Sequence, residues 1–214
     1  MKFKKSIILL ISILVFAIVI IIINKTGYKT INIGDNMNNK SISNIEKYII
    51  NIKSYETEAT IKVISNKNEN EYKVAQKFVS PNLYTMEILE PENLKGVSIG
   101  YNGNTLKISN SQLGLSKIYE NYSEITNNNI FLNNFIKDYI SSEASSYAVE
   151  NEQAIFTTNI IDENKYAKTK KLYVDINTKQ PIKLEIEDVN QKCLVYILYN
   201  EVTLNKLNKD KISI

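Results

Sequence analysis

From residue 55 onward the chain repeatedly alternates polar and apolar side chains. That period of two limits what it can become. In 55–63, Tyr55, Thr57, Ala59, Ile61 and Val63 alternate with Glu56, Glu58, Thr60 and Lys62. Such a run sends its apolar side chains to one side, which predicts a strand with one buried and one wet face. Comparable runs predict strands at 71–79, 83–89, 97–101, 105–109 and 115–119. A second set is predicted at 146–150, 153–161, 170–177, 181–188 and 192–204. Short polar segments separate them. Asn102-Gly103 between two such runs predicts a hairpin turn with both residues at positive φ. A strand roughly every ten residues predicts a long antiparallel meander that curls.

Two stretches break the alternation. Ser43-x-x-Glu46 is a capping-box pattern, and Ile42, Ile45, Ile49 and Ile52 follow at helical spacing. They predict a helix over 43–53. In 130–142, Phe131/Phe135/Tyr139 and Leu132/Ile136/Ile140 form adjacent i, i+4 rows, with Asn133, Asn134, Lys137 and Asp138 expected to face away. The expected fold is α+β and mainly antiparallel β. It is a curved, open half-barrel with two amphipathic helices on its concave face. Phe131, Leu132, Phe135, Ile136 and Tyr139 are the candidate cavity or lid residues. They either form core or gate a cavity for an acyl chain or a partner's apolar element.

Ahead of this domain lies a different kind of segment. Residues 6–23 carry no charge, and fifteen of these eighteen are Ile, Leu, Val or Phe. At about 1.5 Å per residue they reach about 27 Å, just enough for a bilayer core. Ile7, Leu10, Leu14, Phe16, Ile20 and Ile23 sample the expected lipid-facing surface. No Ala-x-Ala cleavage site follows, and no lipidation cysteine, since Cys193 is the one thiol. The expectation is an uncleaved transmembrane signal anchor, spanning the cell membrane once. Lys2, Lys4 and Lys5 hold the N-terminus in the cytoplasm and orient the rest outward. The expected organisation is a basic tip and anchor over 1–24, a flexible linker over 25–40, a β domain over 41–208 and a tail over 209–214.

Composition removes several functions. The chain has 26 basic residues, all lysine, against 23 acids, with no His, no Arg and no Trp. Without His there is no imidazole base and no Ser-His or Cys-His pair. One thiol and no imidazole do not make a zinc site. The net charge of +3 is unevenly spread. Residues 1–26 hold four lysines and no acid, leaving 22 lysines against 23 acids in the remainder. That domain offers no cationic groove for nucleic acid. The carboxylate pairs Glu56/Glu58 and Glu185/Glu187 are expected on solvated strand faces. Asp162, Glu163, Lys165, Lys168, Lys170 and Lys171 read as a charged loop, and Cys193 as a packed strand residue. No catalytic residue, metal site or cofactor is expected.

The order of these segments resembles the LolA-like superfamily of lipoprotein carriers and anti-sigma-factor regulators. The likeness rests on Phe78-Val79-Ser80-Pro81-Asn82-Leu83-Tyr84-Thr85-Met86-Glu87-Ile88-Leu89-Glu90-Pro91 and on Tyr101-Asn102-Gly103-Asn104-Thr105-Leu106. Helix 43–53 running into a strand agrees, as does the late helix 130–142. Where carriers of that superfamily often place Arg, this chain has Thr85. Within the superfamily the chain is similar to the clostridial spore germination lipoproteins, which bind the spore-cortex amidase. That family attaches by a lipidated Cys absent here. The resemblance implies a non-enzymatic, extracytoplasmic binding protein of sporulation or germination that binds and activates a cortex N-acetylmuramoyl-L-alanine amidase. The alternatives are a lipid or lipoprotein binder and an envelope-stress regulator. The expected partners are the membrane, a protein and possible lipid, with no nucleic acid.

Overall fold

Among the described residues eleven strands form, and they join edge to edge into one antiparallel sheet. The protein is described by a computed structural model covering residues 39–65, 67–122, 129–161, 166–212 and 214. The anchor residues Ile7, Leu10, Leu14, Phe16, Ile20 and Ile23, the flanking Lys2, Lys4 and Lys5, and the 162–165 charged loop lie outside them. Among the described residues no helix is long and apolar enough to cross a membrane.

Helix α1 (Asn39–Ile50) leads into β1 (Ser54–Ile64), β2 (Glu69–Val79), β3 (Leu83–Glu90), β4 (Val97–Tyr101), β5 (Leu106–Asn110) and β6 (Leu115–Tyr119). Helix α2 (Leu132–Ser141) follows, then β7 (Ser146–Glu150), β8 (Gln153–Asn159), β9 (Thr169–Asp175), β10 (Pro181–Glu187) and β11 (Cys193–Leu204). The spatial order is β6-β5-β4-β3-β2-β1-β11-β10-β9-β8-β7. It is therefore two meanders joined by β1 and β11 at the centre, not one continuous meander. β6 and β7, though neighbours among the strands in sequence, are the two outer edges. The chain between them has to travel from one edge to the other, and α2 lies on that path.

The sheet curls. Phe131, at the start of α2, packs its ring 4.8 Å from Tyr84 on β3. Tyr139, two turns later, packs 5.7 Å from Phe156 on β8. β3 and β8 are six strand spacings apart in the sheet, about 29 Å if flat. Eight residues of helix rise about 12 Å. Only a sheet bent around the helix brings both strands within side-chain reach.

The inner face is apolar, as the alternation requires. Tyr55, Ala59, Ile61, Val74, Phe78, Leu172, Val174, Leu184 and Ile197 share one core with Ile45 and Ile49 of α1 and Phe135 of α2. β11 bulges at Asn200, opposite the step from Glu58 to Ala59, while β1 alternates without interruption. A smaller apolar cluster lies on the other face, where Val79 and Leu83 meet Leu207, Ile212 and Ile214. Residues 209–212 and Ile214 thus lie against the sheet, with Lys209–Lys211 forming a 3-10 turn.

Several local expectations are corrected. α1 starts at Asn39, so Ser43 sits inside the helix and not at its cap. Glu46 accepts a hydrogen bond of 2.8 Å from the Tyr139 hydroxyl and so ties α1 to α2. The β4–β5 loop has four residues, since Tyr101 pairs with Leu106. Of Asn102 and Gly103 only Gly103 has positive φ, at 96°. Asn102 turns the chain with its side chain, its Oδ1 accepting from the Asn104 and Thr105 amides.

The polar face assigned to α2 is also revised. Ile140 is exposed, whereas Asn134 is buried and Asp138 points inward. Lys170, expected in a charged loop, is on β9 and fully buried, with its ammonium 2.6 Å from Asp138 Oδ2. Thr158 Oγ1 donates to the Asp138 carbonyl, and Ser145 Oγ donates to the Tyr139 carbonyl. A polar clasp therefore holds the end of α2 to β8 and β9. Breaking a buried ion pair by removing one partner is strongly destabilising. Asp138→Ala is expected to destabilise the fold by about 3 kcal/mol or more. Asp138→Leu with Lys170→Met should recover most of that loss. Urea unfolding of the three proteins measures both.

Candidate functional site

The residues expected to line or gate a cavity come together under α2. Phe131, Leu132 and Phe135 are essentially inaccessible, and Ile136 and Tyr139 are buried. Their rings continue those of the sheet. Tyr101 lies 5.3 Å from Tyr84, which meets Phe131. Phe135 stacks on Tyr139 at 5.8 Å, Tyr139 meets Phe156 edge-on, and Phe156 lies 6.3 Å from Tyr147. The concave face is thus occupied along α2 by the protein's own aromatic side chains. Burial also raises the Tyr139 hydroxyl pKa well above the usual phenol range, reinforced by its bond to Glu46. Burial likewise raises Tyr55 and Tyr199. These phenols stay neutral and serve as donors or packing groups, not bases.

Beside α2 the half-barrel has a small mouth. A hollow of about 240 Å³ lies between Ile50, Ile52, Phe78, Ile136 and the Ser80-Pro81-Asn82 turn. Asn133 and Asn134 give it a polar lip, and the Tyr55 hydroxyl donates to Asn133 Oδ1 at 3.2 Å. Gln76, buried beneath α2's approach, donates to the Ile130 carbonyl and fixes that segment to β2. Ligand pockets for drug-sized molecules span roughly 300–1,000 Å³. The mouth falls short of that range.

The outer face carries the charge. On β9 and β10, Lys171 meets Glu187 at 2.7 Å, and Lys183 meets Glu185 at 2.8 Å while lying 3.9 Å from the Tyr173 ring. Tyr173 donates to Glu185. Glu185 and Glu187 are therefore engaged in a ladder and not solvated, and Glu187 is buried. The reason is cross-strand register, which places Lys171 opposite Glu185 and one step from Glu187. Sequence spacing within β10 shows the Lys183–Glu185 neighbours but not the Lys171 that β9 supplies. Among the described residues no group of three His, Cys, Asp or Glu is placed to hold a metal.

Cys193 opens β11 half-buried, its thiol donating to the Val195 carbonyl. Burial pushes its pKa up, and Glu185 and Glu187 add to the rise. Less thiolate at a given pH means slower alkylation. Iodoacetamide should therefore label Cys193 several-fold more slowly at pH 8 in the folded protein than in urea, and the folded rate should still climb above pH 9. Equal rates would show an ordinary thiol.

The edges differ from the middle. β6 is exposed along nearly its whole length, and Leu113, Leu115 and Ile118 are open to solvent there. This apolar edge follows from no motif in the sequence, because whether 115–119 is central or peripheral depends on pairing alone.

Fold and site together define a mainly antiparallel scaffold with a filled concave face, an engaged outer face and an apolar edge. Sequence comparison narrows this. The chain belongs to the YdcC-like sporulation protein family, whose model matches residues 4–212. A search of the curated proteins returned no match. Among solved structures, the chain is similar to the GerS lipoprotein in complex with the CwlD amidase from Clostridioides difficile. Identity is 23%, with 82% of this chain and 97% of that chain covered and a TM-score of 0.44. It is also similar to the LolA superfamily protein NE2245 from Nitrosomonas europaea, at 12% identity, with 78% and 95% covered and a TM-score of 0.41. A third likeness is to the Pseudomonas aeruginosa MucA/MucB complex, at 10% identity, with 82% and 60% covered and a TM-score of 0.46.

The filled concave face predicts a stability cost there. Phe135→Ala removes a fully buried ring that stacks on Tyr139. It should cost about 3–5 kcal/mol, and Phe135→Leu distinctly less, in denaturant unfolding.

Proposed function

We propose that this chain is a non-enzymatic sporulation factor that works by binding a protein partner from the membrane surface. The observation that carries the reading is the edge strand β6, with Leu113, Leu115 and Ile118 exposed around it. An edge strand offers unpaired backbone groups, and an exposed apolar edge is a surface that association would cover. Membership of a sporulation family supplies the cellular setting. The partner class we propose is a cortex N-acetylmuramoyl-L-alanine amidase, which the sequence resemblance to germination lipoproteins implies. The charge-free run 6–23 with Lys2, Lys4 and Lys5 before it supports a single-pass anchor with the domain outside.

A lipid-binding role has less support. Phe131 and Phe135 take up the space that an acyl chain needs, and the mouth of about 240 Å³ is small and polar-lipped.

The test is co-purification of the full chain from sporulating cells, with mass-spectrometric identification of what comes with it. The expected result is a peptidoglycan hydrolase. Leu115→Asp with Ile118→Lys should lower its recovery about tenfold, the equivalent of roughly 1.4 kcal/mol of interface. Recovery of no such hydrolase with the unaltered chain would overturn the reading. Co-purified lipid in native mass spectra would favour the other role.

A further inference from the structure

The lysines on the strands are almost all engaged. Lys62 meets Glu69 and Glu71, Lys73 meets Glu90, Lys170 meets Asp138, Lys171 meets Glu187 and Lys183 meets Glu185. Lys117 lies over the Tyr119 ring. Two remain, Lys77 on β2 and Lys107 on β5. Among the described residues neither has a carboxylate within ion-pair distance or a ring beneath it. Both line the same hollow, of about 360 Å³, on the outer face.

Register explains the geometry. Lys77 pairs with Thr85, Thr85 with Gly100, and Gly100 with Lys107. These four residues form one cross-strand row, so the two lysines stand three strand spacings apart, about 14 Å between backbones. The floor between them is low because Gly100 has no side chain. Ile214 takes advantage of this and packs 3.1 Å from where a Cβ would be. Ile212 and Ile214 form a wall, and Lys211 brings a third lysine to the rim. Ser98 and Ser109 share a 2.8 Å hydrogen bond in the next row and add hydroxyls beside Thr85. The one acidic side chain lining the hollow is Glu87, which is exposed. Glu56 stands opposite Lys77 on β1 but outside the hollow.

Three lysines against one acidic side chain, around a low floor edged by hydroxyls, favour an anionic occupant. The type of cation says which. Phosphate sites typically use converging backbone N–H groups at a helix N-terminus or an Arg fork. Here the floor amides are spent in the β-ladder and the chain has no Arg. Spaced lysine point charges with hydroxyls between them suit separate carboxylates along a peptide. Ile118 pairs with Lys107 and extends the row to the exposed β6 edge.

We infer that the hollow around Lys77, Lys107 and Lys211 is a binding site for an acidic peptide segment of the protein partner. The inference rests on the partner-binding reading, since it assigns that partner's charge. It places the segment across β2–β5, entering from β6, with its carboxylates on the two unengaged lysines.

The test is fluorescence anisotropy of a labelled Glu-rich octapeptide titrated with the detergent-solubilised full chain. Binding is expected at low salt and should weaken as salt rises. Lys77→Glu with Lys107→Glu should reduce affinity at least about tenfold. Lys47→Glu with Lys67→Glu changes net charge equally at exposed sites elsewhere and should stay within about twofold. Circular dichroism and thermal melting check that both variants fold. Equal losses in the two variants, or no loss in the first, overturn the site. Displacement of the peptide by inorganic phosphate at far lower concentration than by acetate overturns the carboxylate assignment. Binding to anionic vesicles that depends on Lys77 and Lys107, without peptide binding, overturns the peptide in favour of a membrane contact. Hydrolase recovery from cells separates this inference from the function it rests on. If the first variant recovers the partner as well as the unaltered chain, the site fails and the function stands. If the unaltered chain binds the peptide but recovers no partner, the function fails and the site stands.

Discussion

The fold depends on one helix having to cross the sheet. β6 and β7 are opposite edges of an eleven-stranded sheet, and the chain between them carries α2. A ten-residue helix cannot span a flat sheet of that width. The sheet bends until Tyr84 on one arm and Phe156 on the other both reach α2. The aromatic chain from Tyr101 to Tyr147 is the contact that fixes this curvature. Bulky, stiff rings suit the task because each bridges a wide gap at small cost in rotamer freedom.

The same crossing decides where polar groups are tolerated. The far end of α2 is held by Asp138 and Lys170, a buried ion pair in an otherwise apolar layer. Such a pair adds little net stability over a hydrophobic equivalent, but it fits in only one register. With Tyr139 bound to Glu46, it ties α2 to β9 and to α1 together. The concave face is thereby closed, and the surfaces left for association are the edges and the outer face. On that outer face lysines and acids pair off over β9 and β10, whereas around the hollow over β2–β5 three lysines face one acidic side chain. The surfaces open to association are therefore an edge strand and a lysine-lined hollow, not an enclosed cavity.

Much of this was legible from residue order. Period two in 55–63 or 170–177, and period 3.6 in 130–142, report which side of an element is wet, because burial acts on each side chain through its immediate surroundings. Phe131, Phe135 and Tyr139 read correctly as one apolar row. Misread were residues whose environment is set by a distant strand. Asp138 and Asn134 look like a solvent face until β9 is laid against them. Lys170 looks like part of a charged loop because its neighbours in sequence are charged, although its neighbours in space are Asp138, Thr158 and Ile186. Ser43 and Glu46 look like a cap, yet the helix begins a turn earlier and Glu46 is bound by Tyr139.

By itself the sequence determined the strands and helices, the charge-free run at the N-terminus, and the absence of His and Arg that rules out imidazole chemistry and guanidinium forks. Those are properties of composition and short-range period, fixed within about ten residues. Only the tertiary structure decided that β1 and β11 meet in the centre, that β6 is an open apolar edge, and that Lys77 and Lys107 face one hollow over Gly100. Strand pairing sets all three, and pairing is a long-range choice made by burying one shared core. No local pattern records it.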